Sequence, residues 1–359
     1  MLRLASAPCP APPGEDDLAD RKRIVRASAV SFPDKSTEGS GAILRGLLNW
    51  GPLAALGLLC IGFGMADPEF ATLGNLQTIA SRSAVPLVLA VGITFVIIQG
   101  SIDLSLEGLM AVSSLTFAMC VLNSRTGYDL GVLAIVISVG VGTALGVANG
   151  LVITLLRVPS FMATLGMWSF SWGVAMLMSG GDPPLVHDET LRAFGLGQTL
   201  GVPNLALVAL LCLAIGYFLQ QRTRLGRYSY AIGGGEDLAR LSGIEVNRYK
   251  ILVFAFSGCM AGLAGALESA RIGVGHSEVG LGQMFAAITA VVIGGTPLSG
   301  ARGGVLQSAI GVLIIAVLGS GMIFVGISPY LQKAVQGAII LVAVVAATWH
   351  MRSRLRVVK

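Results

Sequence analysis

A chain of 359 residues, 54% hydrophobic and only 12% charged, with 48 glycines and a mean hydropathy of +0.79, carries more apolar surface than a water-soluble domain buries. That composition excludes an ordinary soluble enzyme or binding module and makes lipid the natural solvent. The formal net charge of +5 does not signal nucleic acid, because the basic residues sit in short clusters between apolar runs and not along one face.

Residues 1–46 hold Pro8, Pro10, Pro12 and Pro13, then Glu15-Asp16-Asp17, then Arg21-Lys22-Arg23, with no apolar segment of a secretory signal. They are expected to form a disordered cytoplasmic tail. Beyond them, stretches of the ~20 apolar residues needed to cross a ~30 Å hydrocarbon layer recur. Ten spans are expected, at 47–66, 84–100, 104–122, 130–155, 160–179, 204–220, 251–270, 284–296, 303–324 and 330–349. Uninterrupted apolar runs predict helices and not a barrel, so the fold class is an all-α, polytopic bundle of about ten transmembrane helices over 47–350. Only Glu107, Glu268 and Lys333 are charged within these windows, each near a span end.

Lys and Arg are distributed unevenly about these spans. With the N-terminus inside, 19 of the 24 fall on the cytoplasmic side, among them those of a basic tail at 351–359. The positive-inside rule therefore places both termini in the cytoplasm, the loop 221–250 inside and 180–203 outside.

Two spans look broken. The second ends in Gln99-Gly100-Ser101-Ile102-Asp103 and the eighth in Gly294-Gly295-Thr296-Pro297. Their flanks match, Ile93 to Ser101 against Ile288 to Thr296, and short interrupted spans in matching positions point to a transport pathway. The polar residues around the first break, Thr94, Gln99, Asp103, Ser105 and Glu107, are the candidates to line it. Asp103 is also placed to cap the third span, and capping and solute contact are compatible roles. Small residues at spacing four, Ser138, Gly142, Gly146 and Gly150 in the fourth span and Gly258 and Gly262 in the seventh, predict close helix packing.

The loop 221–250 is patterned. Gly233 to Gly235 supply a turn, Glu236 and Asp237 suit a helix N-terminus, Arg240 lies one turn after Glu236, and Gly243 can close the helix. Leu238, Leu241 and Ile244 form a narrow apolar stripe. The pattern predicts a short amphipathic helix, which either packs on its own spans or docks a soluble partner.

No nucleotide site is expected, because no Gly-Lys pair exists to build a phosphate loop. The three histidines and five cysteines are scattered, so neither a metal nor another cofactor is implied, and no nucleophile is paired with a base. Glu268 and Arg271, spaced by three, predict a local ion pair.

Four runs in one order resemble the ribose-type permeases of ABC importers. They are Gly100-Ser101-Ile102-Asp103-Leu104-Ser105; Asn149 to Thr154 with Arg157-Val158-Pro159-Ser160-Phe161 and Ala163 to Met167; Tyr230 to Gly234 with Ala239 to Ile244; and Ala287 to Gly295 with Leu298-Ser299-Gly300 and Arg302-Gly303. The resemblance covers about 47–350. It implies a type II ABC importer-like permease in a bacterial inner membrane, importing a monosaccharide or small polyol. Its implied partners are a second permease chain, cytoplasmic ATPase subunits and an external solute-binding protein. It also implies that Gly233, Gly234, Glu236, Asp237, Arg240, Leu241 and Gly243 belong to a segment that couples to the ATPase. The chain departs from the family pattern at Leu106-Glu107-Gly108, where Val-Gly-Ser is usual, and at Glu268. Related permeases for nucleosides or branched-chain amino acids remain a rival reading. An ion-coupled transporter would require charges in the middle of spans, and a membrane enzyme would require a catalytic cluster.

Overall fold

The computed structural model describes the backbone of residues 38–328 and of most positions from 330 to 341, with side chains from residue 50. Two units divide the chain, Met1–Leu48 and Asn49–Lys359. The second opens within α1 (Glu38–Ala66), followed by a 3-10 turn (Pro68–Ala71), α2 (Leu73–Ile98), α3 (Leu106–Cys120), α4 (Leu133–Leu155) and α5 (Ser160–Ser179). Next come a small helix α6 (Glu189–Leu196) and a two-stranded hairpin, β1 (Gln198–Thr199) and β2 (Val202–Pro203). The remainder is α7 (Asn204–Arg222), α8 (Arg224–Gly234), α9 (Glu236–Leu241), α10 (Val246–Ile272), α11 (Gln283–Ile293) and α12 (Val305–Phe324).

Six of these, α2, α4, α5, α7, α10 and α12, are long and apolar enough to cross a membrane. Three more are apolar but shorter: the Trp50–Ala66 part of α1, α3 and α11. The ten expected spans thus resolve, among the described residues, into six full-length and three shorter helices. The tenth, at 330–349, is described only in part, with helix at the described positions up to 341, and most of the expected tail at 1–46 lies outside the described residues.

Helix α2 is the centre of the bundle. From Ser83 to Ile98 it is buried on all sides except at Pro86, which explains why its sequence is apolar all round and shows no polar face. It starts well before the expected position 84. Asn75 and Gln77 suggest a loop, but their polarity is satisfied in place. Asn75 Nδ2 donates to Phe70 O (2.7 Å) and its Oδ1 accepts from Ser320 Oγ (2.7 Å), while Gln77 donates to Gly201 O.

The loops sort to two ends, as alternating spans require. At one end Ala301 N donates to Ile98 O, Ile102 N to Ser160 Oγ, and Gln99 Nε2 to Tyr249 O. At the other Val186 N donates to Gly273 O, Arg125 to Ser179 O, and Asp188 caps α6 through the amides of Thr190 and Leu191. The expected Glu268–Arg271 pair forms at this second end, with Arg271 Nε 3.0 Å from Glu268 Oε2.

The two small-residue stripes are each other's partners. A Cβ on Gly142 would stand 2.4 Å from Gly258 O, one on Gly146 2.3 Å from Phe254 O, and one on Gly262 2.7 Å from Ser138 O. Backbone therefore lies directly on backbone between α4 and α10, where dispersion and close dipole contact replace the hydrophobic drive that lipid does not supply.

Helices α3 and α11 rise only ~22 and ~16 Å at 1.5 Å per residue, short of the hydrocarbon thickness. Each is completed by a non-helical stretch before it. Residues 275–280 run back along α3, with Gly275 against Ala118 and Gly280 against Glu107, before α11 begins. The two short helices thus run in opposite directions and start beside each other, inside the bundle.

The seam makes a direct prediction. Gly146→Ala places a methyl group against immovable backbone and should destabilise by about 1–3 kcal/mol, the usual cost of overpacking. Gly140→Ala, on the same helix with no atom within 4 Å of the new Cβ, should be neutral or slightly stabilising. Thermal unfolding in detergent distinguishes the pair, and equal behaviour would rule out the seam.

Candidate functional site

Non-helical backbone inside a membrane is tolerated only where its polar groups are paired within the protein. The stretch 99–105 meets that demand with borrowed side chains. Gly100 N and Ser101 N return to Ile97 O and Val96 O. Ile102 N donates to Ser160 Oγ (3.2 Å) and Leu104 N to Thr164 Oγ1 (3.0 Å), both on α5. Ser105 N donates to Asp103 Oδ1 (3.0 Å).

Asp103 is the hub of this segment. Its Oδ1 accepts from the amide and the hydroxyl of Ser105, and its Oδ2 accepts from Ser257 Oγ on α10 (2.8 Å). Asn149 on α4 donates to Ser105 Oγ (2.8 Å), so one carboxylate ties the break to both halves of the glycine seam. The expectation that Asp103 caps the third helix is corrected. The helix starts at Leu106 with Ser105 at the cap position, and Asp103 instead closes a local turn two residues upstream.

Glu107 explains the departure from the usual glycine. It lies in the first turn of α3, and its Oε1 accepts from Gly282 N (2.8 Å) and Met284 N (3.4 Å), at the start of α11. One carboxylate therefore faces the positive ends of two helices at once.

The five pathway candidates share a location that the sequence did not disclose. Thr94, Gln99, Asp103, Ser105 and Glu107 are all buried, none more than 8% exposed. Thr94 Oγ1 is bonded to Ser308 Oγ on α12, and Gln99 Nε2 to Ser229 Oγ on α8 and Tyr249 O on α10. Within the chain their hydrogen bonds join one helix to another.

The matching flanks of the two broken spans have a structural counterpart. Gly100 (φ +73°) and Gly295 (φ +107°) both take positive φ after αR residues. Ser101 N bonds back to Val96 O, and Thr296 N to Val291 O. The matched residues are two copies of one helix-ending motif, at the same end of the bundle.

The patterned loop is more helical than expected. Gly233 and Gly234 end α8, only Gly235 breaks the chain, and α9 is six residues long. Gly243 has φ +79°, as a closing glycine requires. The expected pair forms, Arg240 Nη2 to Glu236 Oε1 at 2.8 Å, and a second cation that no local spacing marks, Lys250, reaches Glu236 Oε2 at 2.6 Å. Partial burial pushes the Glu236 carboxyl up, but the bonds and charges of Lys250 and Arg240 outweigh it and hold the group below its ordinary 4.5. The apolar stripe divides: Ile244 packs on Ile232, Ala239 and Val246, whereas Leu238 (69%) and Leu241 (85%) are exposed, as is Asp237. Gly233 has a role no spacing rule reveals, since a Cβ there would stand 1.9 Å from Ile98 O and 2.8 Å from Ala301 N.

Residues 75–344 match the family model described as branched-chain amino acid transport system / permease component. The chain belongs to that family. It is 36% identical over 297 residues to the ribose import permease protein RbsC of Escherichia coli K12, covering 81% of this chain and 91% of that one. The RbsC of Bacillus subtilis is 37% identical over 296 residues (82% and 91%), and the E. coli L-arabinose transport system permease protein AraH 30% over 325 residues (89% and 98%). No solved structure matches the chain at a significant level. These relatives are transport permeases and not enzymes.

In this permease Asp103→Leu strands three donors and should cost about 1–3 kcal/mol for each one left unpaired, with severe loss of membrane abundance. Asp103→Asn keeps an acceptor and should be much milder. Comparing their melting temperatures and abundance checks the hub, and equal stability of the two variants would refute it.

Acidification tests the second cluster. A depressed folded-state pKa gives stabilisation that is present above the unfolded value and lost as pH falls through the folded one. The melting-temperature difference between wild type and Glu236→Gln should hold at neutral pH and vanish as pH drops below 4.5.

Proposed function

We propose that this chain is the membrane-spanning permease subunit of an ATP-driven importer for a monosaccharide or related small polyol. The observation that carries the reading is near full-length kinship with permeases whose names specify import of ribose and arabinose. The family description itself names branched-chain amino acid transport, and that is the second reading. Uptake of labelled pentoses and of labelled leucine by cells with and without the gene separates them.

The buried state of Thr94, Gln99, Asp103, Ser105 and Glu107 supports a path between two permease chains and not through one. Each of these residues makes at least one hydrogen bond to another part of the bundle, which favours a solute path along the outside of the bundle over one through its core. These residues then act as the frame that holds the path-lining helices. Lys and Arg asymmetry supports an orientation with the 99–105, 156–160, 221–250 and 294–304 end in the cytoplasm and both termini inside.

The ATPase docks on α9. Two adjacent leucines exposed on a polar, ion-paired segment of the cytoplasmic end support this, because such a stripe costs free energy in water unless a partner covers it. Arg240 is already engaged by Glu236 and by Asn247 Oδ1, so its replacement disturbs the segment itself. The cleaner variant is Leu238→Asp with Leu241→Asp. It should insert normally, lose the ATPase in a pull-down and abolish uptake. Normal abundance with normal ATPase retention would overturn the docking assignment.

A further inference from the structure

Beside α9 and distinct from its exposed leucines lies a polar chamber of about 630 Å3. Gly100 and Ser101 of the re-entrant stretch, the α4–α5 turn from Arg157 to Ser160, Glu236 and Arg240 of α9, and Asn247 and Lys250 of α10 form its wall. The wall carries three cations, Arg157, Arg240 and Lys250, and one carboxylate, Glu236. Glu236 is shared between Arg240 and Lys250, while Arg157 has no ion pair among the described residues. That leaves an excess of positive charge with nothing among the described residues to neutralise it.

Two further features point the same way. Arg157 takes φ +55°, a left-handed conformation that costs a residue with a Cβ and is kept only where the surroundings or a function demand it. Next to it α5 starts at Ser160 with Pro159 as a cap that makes no side-chain bond; Met162 N and Ala163 N return to Pro159 O, and the positive end of this 20-residue helix meets the chamber wall at Ser160. Converging guanidinium and ammonium groups with a helix N-terminus suit a multiply charged, multi-oxygen anion better than a single carboxylate. Leu155 and Leu156, exposed immediately before Arg157, put this mouth at the edge of the apolar layer.

We propose that the chamber binds a phosphate-bearing anion, which fastens α9 and α10 to the α4–α5 turn and the re-entrant stretch. Its chemistry fits either the headgroup of an anionic phospholipid or a soluble phosphate ester, and the volume accommodates both.

The test uses the full chain in nanodiscs. In discs of phosphatidylcholine alone, inorganic phosphate or ribose 5-phosphate is titrated against potassium chloride of matched ionic strength. A second set contains phosphatidylglycerol. The expected result is a saturable rise in melting temperature in at least one arm beyond the chloride control, the soluble arm indicating a metabolite and the lipid arm a headgroup. Arg157→Gly and Arg157→Asn both tolerate positive φ, so they should fold at least as stably as wild type when no anion is present. Each should weaken the apparent affinity by about tenfold or more, the worth of a charge-assisted bond. Undiminished response in both variants would overturn the proposal. So would a wild-type chain that responds to none of the probes, which would leave the three cations to an acidic partner protein.

Discussion

Helices α4 and α10 touch without side chains between them, and the rest of the bundle is arranged around that contact. Lipid does not drive apolar helices together, so association must come from close packing and interior hydrogen bonds. Gly142, Gly146, Gly258 and Gly262 let the backbones approach, and the approach brings Asn149 and Ser257 within reach of the polar break at 99–105. Widening the seam by one methyl group would pull both donors away from the Asp103 cluster. Packing and polar satisfaction are thus a single constraint here.

The break itself is a consequence of helix ends. A helix that stops inside a membrane exposes amides and carbonyls that lipid cannot solvate. This chain solves the problem at both places with what lies beside it: α5 hydroxyls serve the stretch before α3, and Glu107 serves the start of α11. A carboxylate at 107 is costly against lipid but stable between two helix N-termini. At this position the carboxylate bonds the start of α11 to the first turn of α3.

Helical class, the two broken spans, the glycine stripes and the Glu236–Arg240 pair were legible because each follows from local spacing. The start of α2 was not, since Asn75 and Gln77 are polar in sequence and satisfied only by distant groups, Ser320 and Gly201. Burial of the five polar candidates was equally hidden. Sequence shows that a residue is polar, but whether it faces a channel or a neighbouring helix depends on distant partners, as with Thr94 and Ser308, 214 residues apart. Lys250 escaped for the same reason, lying fourteen residues from its carboxylate. The closing glycine at 243 was readable because a left-handed helix end is a local event.

The absence of a side chain at Gly233 sets how motion passes through this end of the molecule. Most interfaces contain rotamers that can swing and absorb a small displacement before the backbone responds. Here α8 rests on the last carbonyl of α2 and on the amide of Ala301, with no such cushion. Any shift of α8 on the order of an ångström has to be taken up by the ends of α2 and of the loop leading into α12. The joint between the water-exposed segment and the membrane-embedded core is stiff, so it transmits position and not merely force.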